Sequence, residues 1–387
     1  MSERGARAAF PAVPARPAVR APPTALITFL FCHGLGVNTV ALPLLAVDHG
    51  HGATAVGVLV AVSAGGQIGV RMVVARWAHR LTERGLVLAS AALLCLSSAV
   101  VLPAPEMWAF AAANLAQGVA RGCFWVGVQA HVVRSVPEPR RALAWVDLAG
   151  GAGMVVGPAT IGLAGGSVPA ALAAGVAVTA VAALFTLRLT RLPLPPPEKA
   201  TGFAGIVFRR TLRPSLLAAV STGTWRGMLG SYIPVVLAAA GHSASAVGLL
   251  VGLGSATMIA GSMLVGVTPR ARLGPLYVLG ALASGASLAG IGIWPREPAV
   301  VVALLVGGGI GGGALQTLST SLAAYAVAPA ERGRVVADVG TYRAVALLAS
   351  PLGIAALLPL LALGPAMALV GAFAAVPALS RPPPQSG

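Results

Sequence analysis

Apolar residues run through this chain in long blocks separated by short polar connections. A helix needs about 20 consecutive apolar residues to cross a bilayer. Blocks of that length occur at 24–46, 54–75, 86–104, 107–133, 142–165 and 168–188, and again at 215–239, 245–267, 276–294, 298–323, 337–360 and 362–379. The pattern predicts twelve transmembrane helices and an all-α membrane protein. Helices suit that environment because they satisfy their own backbone hydrogen bonds where no water is present.

The connections alternate in charge. Basic residues gather in the N-terminal tail (Arg4, Arg7, Arg16, Arg20), after the second span (Arg76, Arg80, Arg84) and after the fourth (Arg134, Arg140, Arg141). They gather again in the connection 189–214, whereas Arg296 is the one arginine or lysine in the connections on the other side. The positive-inside rule then places both termini in the cytoplasm and the protein in the cytoplasmic membrane. Pro193, Pro195, Pro196 and Pro197 stop a helix, and Arg209, Arg210 and Arg213 hold that connection at the inner surface. The expected organisation is a basic tail (1–23), a six-helix bundle (24–188), a linker (189–214), a second six-helix bundle (215–379) and a short tail (380–387). Glu138, Arg141 and Pro158 recur at one constant spacing as Glu331, Arg334 and Pro351, which suggests two pseudo-symmetric halves.

Composition agrees with a membrane location. The chain is 57% hydrophobic and 9% charged, whereas soluble domains carry about 25% charged residues. The net charge of +16 does not indicate nucleic acid, because the arginines sit in loops between apolar spans and form no basic soluble face. Cys32, Cys95 and Cys123 lie in separate apolar runs without metal or redox spacing and read as small buried hydrophobes. The run Gly307–Gly313 lacks a following G-K-[ST], so it is no phosphate loop, and no cofactor or metal is expected. That run suits either close packing or flexing.

Three segments resemble motifs of the major facilitator superfamily of secondary transporters. The loop after the second helix, Ala75 to Arg84, is similar to G-x-L-A-D-R-x-G-R-R; it keeps Arg80 and Arg84, with His79 at the aspartate. In the fourth helix Gln117 and Gly118 match R-x-x-Q-G-x-G, with Asn114 at the arginine. In the fifth, Gly153, Gly157, Pro158 and Gly162 match the exporter-type G-x-x-x-G-P-x-x-G-G. The resemblance implies the family's twelve-helix fold, efflux by alternating access and proton antiport. It also implies gating roles for Arg80, Gly153, Gly157 and Pro158.

Ionisable groups at mid-bilayer cost about 2.5–3.5 kcal/mol on insertion scales and mark function by default. Asn114, Gln117 and Arg121 share one face of the fourth helix, and Trp125 continues it. Trp225 and Arg226 lie mid-span in the seventh helix, with His33 taken as the counterpart in the first. These seven are the candidate substrate-binding residues. Arg71 reads as a topology residue near a span end. Asp147, Asp338 and Arg343 are coupling or gating candidates, the two aspartates serving either as proton carriers or as partners of loop arginines. The expected function is transport of a small organic solute, anionic or aromatic, by a monomer without catalytic residues. Uptake by the same fold, a polytopic membrane enzyme and a transporter-derived sensor are the alternatives.

Overall fold

The computed structural model of the protein describes residues 23–77, 80–103, 105–135, 139–194, 209–328 and 331–380. The two terminal tails, His79, Pro137, Glu138 and most of the proline-rich connection lie outside the described residues. Thirteen α-helices follow: α1 (Pro23–Asp48), α2 (Ala53–Trp77), α3 (Glu83–Val101), α4 (Met107–Ser135), α5 (Pro139–Leu163) and α6 (Val168–Thr186), then α7 (Arg213–Leu229), α8 (Tyr232–Ala239), α9 (Ala244–Val267), α10 (Leu273–Ile293), α11 (Pro298–Tyr325), α12 (Arg332–Leu357) and α13 (Leu363–Ala375). Among the described residues, nine of these are long and apolar enough to cross a membrane by themselves. α13 is short but continues as a 3-10 turn to Leu379. No strand occurs among the described residues.

The seventh expected span is interrupted, which corrects the continuous helix inferred from hydropathy. Gly230 and Ser231 separate α7 from α8, and Ser231 leaves helical geometry at φ −133°, ψ −78°. Pro234 supplies the reason: it has no N–H to return to the Gly230 carbonyl. The run of six glycines behaves differently. Each glycine costs about 1 kcal/mol of helix propensity relative to alanine, yet α11 remains one helix. Its glycines let three neighbours approach. Gly308 and Gly312 lie against Trp225 of α7, Gly309 and Gly313 against α9, and Gly311 against Gly280 and Ser284 of α10.

The halves use matching devices. α1 packs on α5 and α6, α2 on α4, and α3 on α4 and α6; in the second half α7 packs on α11 and α12, and α10 on α11 and α13. A Cβ at Gly118 would collide with the Ser63 carbonyl of α2, and one at Gly313 with the Met258 carbonyl of α9. His51 bonds the Pro105 carbonyl at 3.3 Å, and His242 bonds the Pro295 carbonyl at 2.7 Å. His51 thus ties the α1–α2 connection to the α3–α4 connection, and His242 ties the α8–α9 connection to the α10–α11 connection. Between halves, α2 meets α12 and α5 meets α9.

At the arginine-rich end of the first half, a fully buried Glu83 opens α3. It takes His131 Nδ1 at 3.1 Å and Arg134 Nη1 at 3.0 Å, both from the last turns of α4. Arg134 also donates to the Pro193 carbonyl. The chain after α6 closes the cluster through backbone bonds Glu83 N to Leu192 O at 2.9 Å and Leu194 N to Leu81 O at 3.0 Å. The loop after α2, the end of α4 and the start of the linker are thereby fixed to one another.

Candidate functional site

A cavity of about 880 Å³ lies between the halves. Its wall runs along α2 from Val60 to Arg71, along α4 from Asn114 to Gln129 and along α9 from Val251 to Met263, always toward the arginine-rich ends. Along α5 and α12 it runs back to Asp147 and Val336, near the starts of those helices at the same end. The apolar packing explains this shape. Beyond the cavity, one hydrophobic cluster joins Val40, Leu44 and Leu59 of the first half to Ile233, Val236 and Ile354 of the second. Toward the basic end the remaining clusters are each confined to one half. Tyr232 reinforces the seal by donating from its hydroxyl to the Ala53 carbonyl at 3.0 Å, across the halves. The cavity is therefore closed at one end and open at the end that carries the basic loops.

Among the described residues four arginines line it: Arg71 (α2), Arg121 (α4), Arg226 (α7) and Arg343 (α12). Asp147 of α5 is the one carboxylate on the wall among the described residues. Arg121 and Arg226 lie within electrostatic range of each other and of Cys32. Arg343 lies within range of Asp147, Arg226 and Arg71. Arg226 Nη1 donates to Gln316 Oε1 of α11 at 3.0 Å. Arg121 is held differently: its buried Nε has no hydrogen-bond partner, and neither has the Gln117 amide nitrogen. Helix geometry aims these groups inward. The glycine zips on α4 and α11 occupy one face, and Arg121 follows Gly118 by three residues as Gln316 follows Gly313.

The structure brings Asn114, Gln117, Arg121, Trp125, Arg226, Asp147 and Arg343 onto one wall. Two expected wall residues are elsewhere. Trp225 is completely buried inside the second half, because its indole fills the space that Gly308 and Gly312 leave open. His33 faces α5, where Nε2 meets Thr160 Oγ1 at 2.9 Å. Nor is His33 the counterpart of Arg226. Gly36 packs on Gly157 and Pro158 as Gly227 packs on Leu347 and Ser350, so Leu35 matches Arg226. Arg71, taken from sequence as a topology residue, is a wall residue.

The gating candidates divide in the same way. Gly153 and Gly157 lie against the α1 backbone, where a Cβ at Gly153 would sit 2.5 Å from the Phe29 carbonyl oxygen. Pro158 lines the cavity and packs on Gly36. Asp338 lies one turn from Tyr342, with which it interacts electrostatically, and is not on the wall. Arg80 is exposed, its guanidinium 4.8 Å from the Trp77 ring centroid. Sequence reasoning passed over Gln67, Gln129 and Gln316. The internal repeat held the available signal for the last of these, since Gln316 occupies the place of Arg121.

Comparison with known proteins adds the following. A family model described as Major Facilitator Superfamily matches residues 24–351. Among solved structures, a mutant of the nucleoside transporter NupG superposes with a TM-score of 0.77 at 10% identity, covering 92% of this chain and 97% of that one. A bacterial homologue of the human lysosomal transporter Spinster, inward-facing and occupied, gives a TM-score of 0.71 at 15% identity, covering 92% and 94%. The human organic anion transporter MFSD10 gives 0.61 at 18% identity, covering 92% and 99%. At these identities the likeness is one of fold. No curated protein matches the chain.

Proposed function

The chain belongs to the Major Facilitator Superfamily and is a multi-pass membrane protein of transporter type; on that premise we propose that it is a secondary transporter exporting a small organic anion from the cytoplasm. The observation that carries the reading is the charge of the cavity wall, four arginines against one aspartate. Fixed cations lining a cavity between two apolar bundles attract a soluble anion and repel cations. The orientation rests on the basic loops: if they face the cytoplasm, the cavity loads from that side. The two halves then rock about the site, and the seal formed by the shared apolar cluster opens on the other side. Among the solved structures of this fold, the organic anion transporter MFSD10 handles solutes of that charge class. In this reading Asp147 carries the coupling proton, because a carboxylate in a partly desolvated cavity facing an arginine can exchange a proton as the site opens and closes.

Arg121→Ala tests the assignment. In proteoliposomes the variant is expected to lose at least about 30-fold in apparent affinity for a transported anion, since truncating one side of a buried charge pair costs roughly 2–5 kcal/mol. Its elution profile and helicity should match those of the unmodified protein. Wild-type transport by a correctly inserted Arg121→Ala protein removes Arg121 from the site. Collapsing the pH gradient should stop concentrative efflux; unchanged efflux would remove Asp147 from the coupling role.

A further inference from the structure

The wall also bears on how many charges the solute carries, on the reading that this cavity is the transport site. Its four arginines are not equivalent. Arg343 is within electrostatic range of Asp147, the carboxylate across the cavity, so its charge already has a counterpart. Arg71 stands nearest the open end, where a cation concentrates anions without having to hold them. Arg121 and Arg226 are the remaining two. They project from opposite halves toward the same region beside Cys32; Asp147 also lies within range of Cys32 but is not among the charges acting on either arginine.

Their hydrogen-bonding state leads to the same place. Arg226 is positioned by a neutral acceptor, Gln316, which fixes the fork without cancelling its charge. Arg121 has a buried Nε with no acceptor, and one turn away the Gln117 amide nitrogen is buried and unpaired. Buried donors are normally satisfied. Arg121 and Gln117 share one face of α4 on the wall, where the outer N–H groups of the guanidinium can meet an acceptor-rich group. A single monovalent anion leaves one of the two guanidinium groups without a counter-ion.

The rest of the wall describes the body of the solute. Asn114, Gln67, Gln129, Thr317 and Thr320 supply hydrogen bonds without charge. Trp125 is the one aromatic ring on the wall among the described residues, since Trp225 is turned into the second half. A flat aromatic body would find little to stack on. A hydroxylated one would find many partners.

We propose that the solute is a small hydrophilic anion with two negative charges on a hydroxylated body, either a dicarboxylate or a phosphate monoester, bridging Arg121 of the first half and Arg226 of the second. Bridging couples binding to movement. A dianion held from both sides draws the halves together at the open end, whereas a monoanion held by one arginine leaves them apart.

The experiment is a charge series on one carbon skeleton, using purified full-length protein in detergent and in proteoliposomes. The probes are sorbitol (neutral), gluconate (one charge), glucarate (two, as carboxylates) and sorbitol 6-phosphate (two, as a phosphate monoester), with succinate as a dianion lacking hydroxyls. Binding is read by thermal shift and calorimetry, and transport by counterflow. At least one dianion of the polyol pair is expected to bind about 10- to 100-fold tighter than gluconate, because it adds a second charge-assisted pair. Sorbitol is expected to give no shift. Which dianion wins decides between carboxylate and phosphate, and both results support the proposal. Arg121→Gln and Arg226→Gln, each monodisperse, should reduce the preference for the dianion to about threefold or less. Gluconate binding as tightly as both polyol dianions overturns the two-charge inference and leaves anion transport standing. Binding of sorbitol alone, or of none of the anions, overturns both. A dianion preference that survives both glutamine variants overturns the bridging assignment.

Discussion

Glu83→Ala should destabilise the protein by about 3 kcal/mol, at the low end of the roughly 3–5 kcal/mol range for breaking a buried ion pair. Glu83 is fully buried and faces two basic side chains, His131 at 3.1 Å and Arg134 at 3.0 Å. Removing it leaves His131, itself buried, without its carboxylate, while Arg134 is 36% exposed and can turn to water. That partial exposure is why the low end applies. The loss should also loosen the segment after α6, since Arg134 holds the Pro193 carbonyl and the Glu83 backbone holds Leu192. Chemical unfolding in detergent micelles gives the measure. Glu83→Gln, which keeps the shape and can still accept hydrogen bonds, should fall between wild type and Glu83→Ala. If the alanine variant unfolds at the wild-type midpoint, the cluster contributes nothing to stability.

Gly57→Leu is expected to shift the equilibrium away from the state seen here by about 5- to 150-fold, as overpacking a tight contact costs roughly 1–3 kcal/mol. A Cβ at Gly57 would meet the Tyr232 hydroxyl, and also the Pro351 carbonyl oxygen at 2.9 Å. Both neighbours belong to the opposite half. The penalty therefore falls on the sealed end and is relieved when the halves separate there. Spin labels at Asp48→Cys and Ala239→Cys, in a background without Cys32, Cys95 and Cys123, report the separation. Their mean distance should lengthen in the Gly57→Leu protein and transport should slow. An unchanged distance distribution would show that the contact does not hold the seal closed.

The spans were legible because lipid imposes a simple rule: long apolar blocks must be helices, and their ends show as charge. The break at Gly230–Ser231 was hidden because hydropathy averages over Pro234 and does not weigh a missing donor. At the site, the polar face of α4 could be read from spacing alone, since i, i+3, i+7 on a helix fixes a face. Which way a face points could not. Trp225 and Arg226 are adjacent in sequence but diverge by a large angle around α7, so one enters the cavity and the other enters the bundle. The deciding residues, Gly308 and Gly312, lie on another helix. Glu83 was equally hidden, since its partners sit 48 and 51 residues away.

The glycine zips of α4 and α11 separate two kinds of positions on the same helices. Gly118 and Gly313 tolerate no side chain, whereas Arg121 and Gln316, three residues on, line the cavity. Fit between helices and fit to the solute are thus set by different residues. Changes at positions 121 and 316 can alter what is carried without redesigning how the bundle assembles. Selection for a new cargo, natural or in the laboratory, has a short route here: it can act on the cavity faces of two helices while the zips stay fixed.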